Sequence, residues 1–247
     1  MTIHAHRVLT ATAALAAALL TASLATAVPA TAATSAAATT KAFPHYNHAR
    51  HDDQIWGGYA VTGGTYTSVS GSWTVPALDC ADTPNSSVSP WIGIDGWSSQ
   101  TVEQIGFDQD CSNGSAGYYP WVEMYPANSI YFTEAVQPGD RISASVSVSG
   151  TRFTLTESDS TQGWTKTYHK SGSDDLSSAE AIVEDLGDGI GPVADFGSVQ
   201  FTNLTANGAP MANAGTVNST DIERGNTPLT GNSTFSGGSF AINWLQA

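Results

Sequence analysis

The chain has 247 residues, with 22 Asp and Glu against 8 Lys and Arg, and a formal net charge of -14 at pH 7. A surface of that sign repels nucleic acid and anionic membranes, so we expect neither as a partner. Five of the six histidines precede residue 52, which disfavours serine triads, cysteine–histidine pairs and three-histidine zinc sites in the remainder. Proton transfer there would fall to carboxylates.

The first 32 residues have the features of a secretory signal peptide. Arg7 supplies a weak positive charge, residues 8–24 form an apolar run rich in Ala and Leu, and the small residues around Ala27 and Ala32 suit signal peptidase. The alternative is a membrane anchor, but the run is short compared with the roughly 20 apolar residues of a spanning helix. We therefore predict a secreted, extracellular protein that is free of the membrane after signal removal and is a monomer.

Residues 33–53 are predicted to be a disordered linker or a short pro-segment. They begin with an Ala/Thr/Ser tract and end with the basic side chains His45, His48, Arg50 and His51. One hypothesis is that these side chains dock on an acidic groove near neutral pH and are released when the groove carboxylates protonate. Protonation of the histidines would oppose that release.

Residues 54–247 have the pattern of a single all-β domain. Short alternating runs are separated by Gly, Ser, Asn, Asp and Pro, and helical periodicity is nearly absent. The predicted strands are 58–61, 68–75, 89–95, 102–107, 118–125, 141–148, 152–157, 164–169, 179–185, 193–204 and 239–245. So many short strands in one domain predict a two-sheet antiparallel β-sandwich, a concanavalin-like jelly roll.

The two cysteines, Cys80 and Cys111, are predicted to form a disulfide, because export to an oxidising compartment favours one. Two free thiols are the alternative that such a compartment disfavours. With so little histidine and cysteine in the domain, we expect no metal and no cofactor.

Strand parity places aromatic and polar residues together on one face and aliphatic residues on the other, since alternate residues of a strand share a face. The residues assigned to the aromatic-polar side are Trp91 with Asp95, Trp121 and Glu123 with Tyr125, Gln104 with Val102, and Glu184 with Ile182. Large aromatic side chains on an open sheet face would form a costly apolar patch. A concave groove is therefore favoured over an ordinary solvated face.

Five motifs occur in the order found in the eqolisins, a family of glutamic peptidases. The motifs are Trp56-Gly57-Gly58, Trp91-Ile92-Gly93-Ile94-Asp95-Gly96, Gln104-Ile105-Gly106-Phe107-Asp108, Glu123-Met124-Tyr125-Pro126 and Ala179-Glu180-Ala181-Ile182-Val183-Glu184-Asp185. From about Gln54 onward the chain resembles this family. The resemblance implies a sandwich of two large antiparallel sheets and an acid endopeptidase, insensitive to pepstatin, that acts on polypeptides.

By motif, the resemblance implies a catalytic pair of Gln104 and Glu184. It implies substrate-binding roles for the matching residues Trp56, Trp91, Asp95, Glu123 and Tyr125. Glu184 would act as general base and then general acid, and the amide of Gln104 would donate to the oxyanion. Met124 and Val122 stand where the family has aromatic residues, which leaves the subsite preference open.

The rival function is a carbohydrate-active protein of the concanavalin-like type, a glycosidase or a lectin, that uses the same aromatic groove. Paired carboxylates on a concave sheet hydrolyse glycosides in such folds. The Glu-x-Asp-x-x-Glu strand signature of the related glucanases is missing here. A secreted binding module without chemistry is a further alternative.

Overall fold

The computed structural model describes residues 54–187 and 191–247, which form seventeen strands and one short 3-10 helix. The helix spans Met211–Asn213. In chain order the strands are β1 (Trp56–Thr62), β2 (Ser68–Thr74), β3 (Ser87–Ile94), β4 (Val102–Ser112), β5 (Ser115–Tyr125), β6 (Ile130–Tyr131), β7 (Arg141–Ser149), β8 (Arg152–Asp159), β9 (Trp164–Ser171), β10 (Ser178–Glu184), β11 (Ser198–Ala206), β12 (Ala209–Pro210), β13 (Thr216–Thr220), β14 (Glu223–Arg224), β15 (Thr227–Pro228), β16 (Thr230–Asn232) and β17 (Phe240–Trp244).

Two large antiparallel sheets contain almost all of these strands. The front sheet has the order β13-β1-β10-β3-β4-β5-β6, and the back sheet has the order β16-β17-β11-β2-β7-β8-β9, with β12 paired to β11. Strands β14 and β15 form a separate small ribbon. The predicted two-sheet antiparallel architecture is therefore confirmed.

The intersheet core is built from the aliphatic and aromatic residues that alternate along both sheets. Ile92 and Ile105 of the front sheet and Trp73 and Leu155 of the back sheet belong to one buried cluster. Burying a side chain of this size contributes about 1.5–3 kcal/mol each. The alternation that predicted the strands is thus the pattern that drives the two sheets together.

All eleven predicted strands are present, and their ends differ from prediction by a few residues in most cases. The largest difference is the run 193–204, which is a strand only from Ser198 to Ala206. A turn precedes it, in which Gly197 has a φ of +62° and donates its N–H to the Asp195 carboxylate at 2.8 Å. Very short strands such as β6 were not predicted, because two or three residues carry no periodicity.

The predicted disulfide is confirmed. Cys80 and Cys111 are bonded with their Cα atoms 5.3 Å apart, which ties the loop between β2 and β3 to the end of β4. Across the described ranges no helix is both long and apolar enough to cross a bilayer. The predicted signal peptide and the segment 33–53, with His45, His48, Arg50 and His51, lie outside the described residues.

A carboxylic acid is buried in the intersheet core. Glu157 follows Phe153 and Leu155 on the inward face of β8 and is fully buried. Neither of its carboxyl oxygens has a hydrogen-bond partner among the described residues. Burial raises the pKa of Glu157 well above its ordinary value, and the nearby Asp159 raises it further. Glu157 is therefore neutral in the folded protein under acidic conditions.

We expect this raised pKa to make the folded state less stable as the pH increases. Below the unfolded-state pKa of about 4.3 both states hold the proton, so Glu157 imposes no penalty. Above it only the unfolded state ionises, and the free energy of unfolding falls by about 1.4 kcal/mol per pH unit until the folded pKa is passed. Glu157→Gln should remove that contribution to the slope.

Urea unfolding between about pH 3 and pH 7 measures this slope. The matched control is Glu134→Gln, because Glu134 is paired with Lys166 at 2.6 Å and that contact lowers its pKa. The control should keep the wild-type slope above pH 5 or so, where a carboxyl of low pKa is ionised in both states. Equal slopes for wild type and Glu157→Gln would contradict the prediction.

Candidate active site

A second buried cluster, rich in tryptophan, lies on the face of the front sheet opposite the intersheet core. We call it the aromatic face. Its members are Ile55, Trp56, Ala60, Trp91, Trp97, Val102, Trp121 and Ile182, with Tyr125 and Tyr131 packed against it. On β3, Trp91 belongs to this cluster while Ile92 and Ile94 belong to the intersheet core. The division predicted from strand parity is confirmed.

The register of three adjacent strands, β10, β3 and β4, places Gln104 and Glu184 on this same face. Glu184 of β10 lies opposite Ser89 of β3, and Gln104 of β4 lies opposite Gly93 of β3. Opposed residues of antiparallel strands project to one side of a sheet. Trp91 stands midway between Ser89 and Gly93 on that side, so it separates the two positions along β3.

Glu184 is held by tryptophan. Its side chain is fully buried, and the Trp91 indole N–H donates to its Oε2 at 2.9 Å. Trp56, which lies opposite Glu184 in the register of β1 and β10, packs edge-on against Trp91 with ring centroids 4.9 Å apart. The indole pair fixes the orientation of the carboxyl group.

Gln104 is held by a carboxylate. It is fully buried, and its Nε2 donates to Oε2 of Glu123 at 2.6 Å. The hydroxyl of Ser129 donates to the other oxygen of Glu123 at 3.0 Å. Oε1 of Gln104 has no hydrogen-bond partner in the part of the chain that the structure describes. The amide therefore keeps one N–H and its carbonyl oxygen available.

Two glycines make room for this arrangement. A Cβ atom at Gly93 would lie 3.0 Å from the Trp91 ring and 3.2 Å from Cβ of Gln104. A Cβ atom at Gly106 would lie 2.7 Å from Cβ of Trp91. A larger residue at Gly106 would collide with the Pro90 carbonyl as well as Trp91, and one at Gly93 would press on Trp91 and Gln104, which explains glycine at these two points of the sequence motifs.

Asp95 stands apart from the other predicted site residues. Its carboxylate accepts the backbone N–H groups of Leu176 and Ser177 at 2.8 and 2.7 Å and the Ser177 hydroxyl at 2.9 Å. Asp95 thus fastens the end of β3 to the segment that leads into β10. Tyr125, by contrast, packs against the aromatic face and is half-buried.

Several residues of the site were not among the predicted ones. Trp121 donates its indole N–H to the Ser89 hydroxyl at 3.1 Å, and the Tyr131 hydroxyl donates to Asp108 at 2.6 Å. The parity of β5 already placed Trp121 beside Glu123. Tyr131 lies in a two-residue strand that gives no signal in the sequence.

The C-terminal end of β10 is anchored directly after Glu184. Asp185 accepts the N–H of Gly187 at 2.9 Å and a guanidinium N–H of Arg224 at 2.7 Å. Burial raises the pKa of Asp185, while the Gly187 and Arg224 contacts lower it. This anchor restrains the backbone on which the Glu184 side chain is mounted.

Further buried acids lie at the other end of β10. Burial raises the pKa of Glu103 to about 9, and repulsion from Asp174 and Asp95 adds to the effect. Burial also raises the pKa of Glu180, which lies on the same face as Gln104. In acid both side chains are neutral, and of the two only Glu180 lies on the face of the site. Within the described residues no three His, Cys, Asp or Glu side chains are grouped so that they could hold a metal ion.

Comparison with known proteins identifies the family. The model of the peptidase A4 family matches residues 54–244. Aspergillopepsin-2 of Aspergillus niger is 32% identical over 218 residues, which cover 77% of each chain. The structure is similar to that of scytalido-glutamic peptidase bound to a peptide-based transition-state analogue, with a TM-score of 0.66 and 27% identity over 78% of this chain and 98% of that one.

It is also similar to aspergilloglutamic peptidase from Aspergillus niger, with a TM-score of 0.56 and 32% identity over 64% of this chain and 99% of that one. The family match spans nearly the whole described domain, and the fold agrees with it. The chain belongs to the peptidase A4 family, the eqolisin group of glutamic peptidases, and is a hydrolase of peptide bonds.

Proposed function

We propose that the protein is an acid endopeptidase, insensitive to pepstatin, in which Glu184 and Gln104 form the catalytic pair. The observation that carries the proposal is that both residues, drawn from separate family motifs, project from one buried face on either side of Trp91. Glu184 has a tryptophan donor and Gln104 has a carboxylate acceptor. Each side chain is therefore held in one orientation.

In the proposed reaction the carboxylate of Glu184 takes a proton from a water molecule as the water oxygen attacks the peptide carbonyl carbon. The carbonyl π electrons move to oxygen, and the free N–H of Gln104 donates to that oxyanion. The oxyanion then collapses, the C–N bond breaks, and protonated Glu184 gives its proton to the leaving amine. The products are a carboxylic acid and an amine, and Glu184 is again a carboxylate.

Acidic conditions suit this chemistry. A glutamate has an unperturbed pKa of about 4.3, so it still acts as a base at pH values where imidazole is protonated. The N–H of Trp91 orients the Glu184 carboxyl group for this step. Gln104 does not titrate, so its contribution does not change with pH.

Polypeptides are the proposed substrates, and the aromatic face is their proposed binding surface. Trp56, Trp91 and Tyr125 are the proposed substrate contacts, since Trp56 and Trp91 belong to this face and the half-buried Tyr125 packs against it. Asp95 is proposed to support the site indirectly, since both its oxygens are engaged by the backbone before β10. We also propose that residues 1–32 direct secretion and that the disulfide forms outside the cell.

The test is cleavage of an unfolded protein between about pH 2 and pH 6, with pepstatin present. Parallel incubations offer chitin and β-glucans. Cleavage of the protein that persists in pepstatin is the expected result. Release of sugars from a polysaccharide would instead indicate a glycosidase, and polysaccharide binding without turnover would indicate a lectin. Either of these results, in the absence of proteolysis, would overturn the proposal.

A further inference from the structure

We infer that Glu123 is a positioning residue, which acts through Gln104 by fixing which end of its amide faces the reacting carbonyl. The inference rests on the proposed catalytic roles of Gln104 and Glu184. It differs from a direct substrate contact, the role that the family resemblance implies for Glu123. The geometry of three side chains carries it: Gln104, Glu123 and Ser129.

The first step is the chemistry of the amide. The two ends of a glutamine side chain have nearly the same shape, but one end only donates and the other only accepts. An ionised carboxylate only accepts. The amide nitrogen of Gln104 faces Glu123 in the structure, and while Glu123 is ionised the reversed amide would set two acceptor oxygens against each other. The 2.6 Å separation of Nε2 and Oε2 is within hydrogen-bond distance.

The second step is that Glu123 is itself fixed. Gln104 and Glu123 are direct partners in the register of β4 and β5, so the sheet brings them together. Glu123 is only 3% exposed, and Ser129 donates to the carboxyl oxygen that Gln104 does not use. A buried acceptor with separate donors on its two oxygens cannot rotate freely. It forms a rigid support behind the amide.

The third step concerns what the amide offers to the reaction. With one N–H on Glu123, the second N–H of Gln104 and its Oε1 remain. The N–H suits the developing oxyanion, and Oε1 suits a hydrogen of the attacking water. A reversed amide would present its carbonyl oxygen to the oxyanion and would repel it. Glu123 therefore stabilises the productive orientation, and its loss is expected to lower kcat rather than raise KM.

The kinetic test compares Glu123→Gln and Glu123→Leu on one peptide substrate. The glutamine variant can hold Gln104 in either orientation, so kcat should fall about 5–50-fold. The leucine variant removes the acceptor, so kcat should fall towards the roughly 10²-fold cost of losing an oxyanion donor. KM should stay within about twofold of wild type in both variants, because Glu123 does not contribute to binding of the substrate in its ground state.

A second measurement reads the amide itself. In ¹⁵N–¹H spectra recorded in a Glu184→Gln background, which limits self-digestion, one Gln104 Nε2 proton should be shifted downfield by the carboxylate. Glu123→Leu should abolish that shift, and Glu123→Gln should reduce it. Replacing Gln104 in the same background assigns the signals. This readout needs no turnover.

The matched control is Glu134→Gln, a change of the same kind at the ion pair with Lys166 on the back sheet; it should leave kcat, KM and the amide signals unchanged. If Glu123→Leu does not fold, as judged by thermal unfolding, the isosteric Glu123→Gln and the spectra still decide. This inference alone would be overturned if Glu184→Gln is inactive but Glu123→Gln keeps the wild-type kcat, whether or not its KM is raised. Activity retained in Glu184→Gln would overturn the proposed function instead.

Discussion

Glu184→Gln is expected to lower kcat/KM for acid proteolysis by about 10³-fold or more, because an amide cannot take the proton from the attacking water. The substitution keeps the size of the side chain. It also keeps an oxygen that can accept the Trp91 indole N–H, which lies 2.9 Å from the Glu184 carboxylate. The loss would therefore be chemical, with the fold and the aromatic face retained.

The measurement is kcat/KM on a peptide substrate at acidic pH in pepstatin, with thermal unfolding of both proteins at the same pH. Glu134→Gln serves as the matched control, since it changes a carboxylate to an amide beside Lys166 on the back sheet. Wild-type activity in that control excludes a general effect of lost charge. Activity of Glu184→Gln within tenfold or so of wild type would contradict the assignment of the general base.

Gln104→Leu is expected to lower kcat by about 10²–10³-fold with little change in KM, because it removes the donor that meets the oxyanion. The reason is structural as well as chemical. Gln104 is fully buried, and leucine fills nearly the same space beside Trp91 and Glu123. Glutamine does not titrate, so the factor by which kcat falls should be the same at every pH where the wild type is active.

The pH-independence distinguishes this prediction from a change in the charge of the site. A substitution that acted by shifting the pKa of Glu184 would move the pH profile, whereas loss of a neutral donor lowers the profile without moving it. The profile of kcat against pH for wild type and Gln104→Leu provides the comparison. A displaced profile, or a KM that rises while kcat is retained, would contradict the oxyanion role.

The face that carries Gln104 and Glu184 could be predicted because strand alternation is a local property. Residues two apart share a side, so the sequence alone separates Trp91 from Ile92 and Glu184 from Val183. The structure places these pairs in different clusters, or on different sides, as expected. The set of residues that share the face of the site therefore follows from the two-residue alternation of its strands.

The contacts within the site could not be predicted in this way. The bond between Gln104 and Glu123 depends on the register of β4 and β5, which the whole sheet determines. Asp95 is matched by motif to a site residue, yet its partners Leu176 and Ser177 lie more than eighty residues further along the chain. Glu157 looks like an ordinary strand carboxylate until the front sheet packs over the inward face of β8. Long-range packing, with no local pattern, decides all three.

Buried acids such as Glu157, which has no hydrogen-bond partner among the described residues, also affect where such an enzyme remains folded. In acid the Glu157 carboxyl keeps its proton and imposes no penalty on the folded state. A molecule that diffuses into neutral surroundings is therefore expected to be less stable, because Glu157 would then favour the unfolded state, in which it can ionise. This loss of stability would help to confine protein digestion to acidic surroundings, without any dedicated inhibitor.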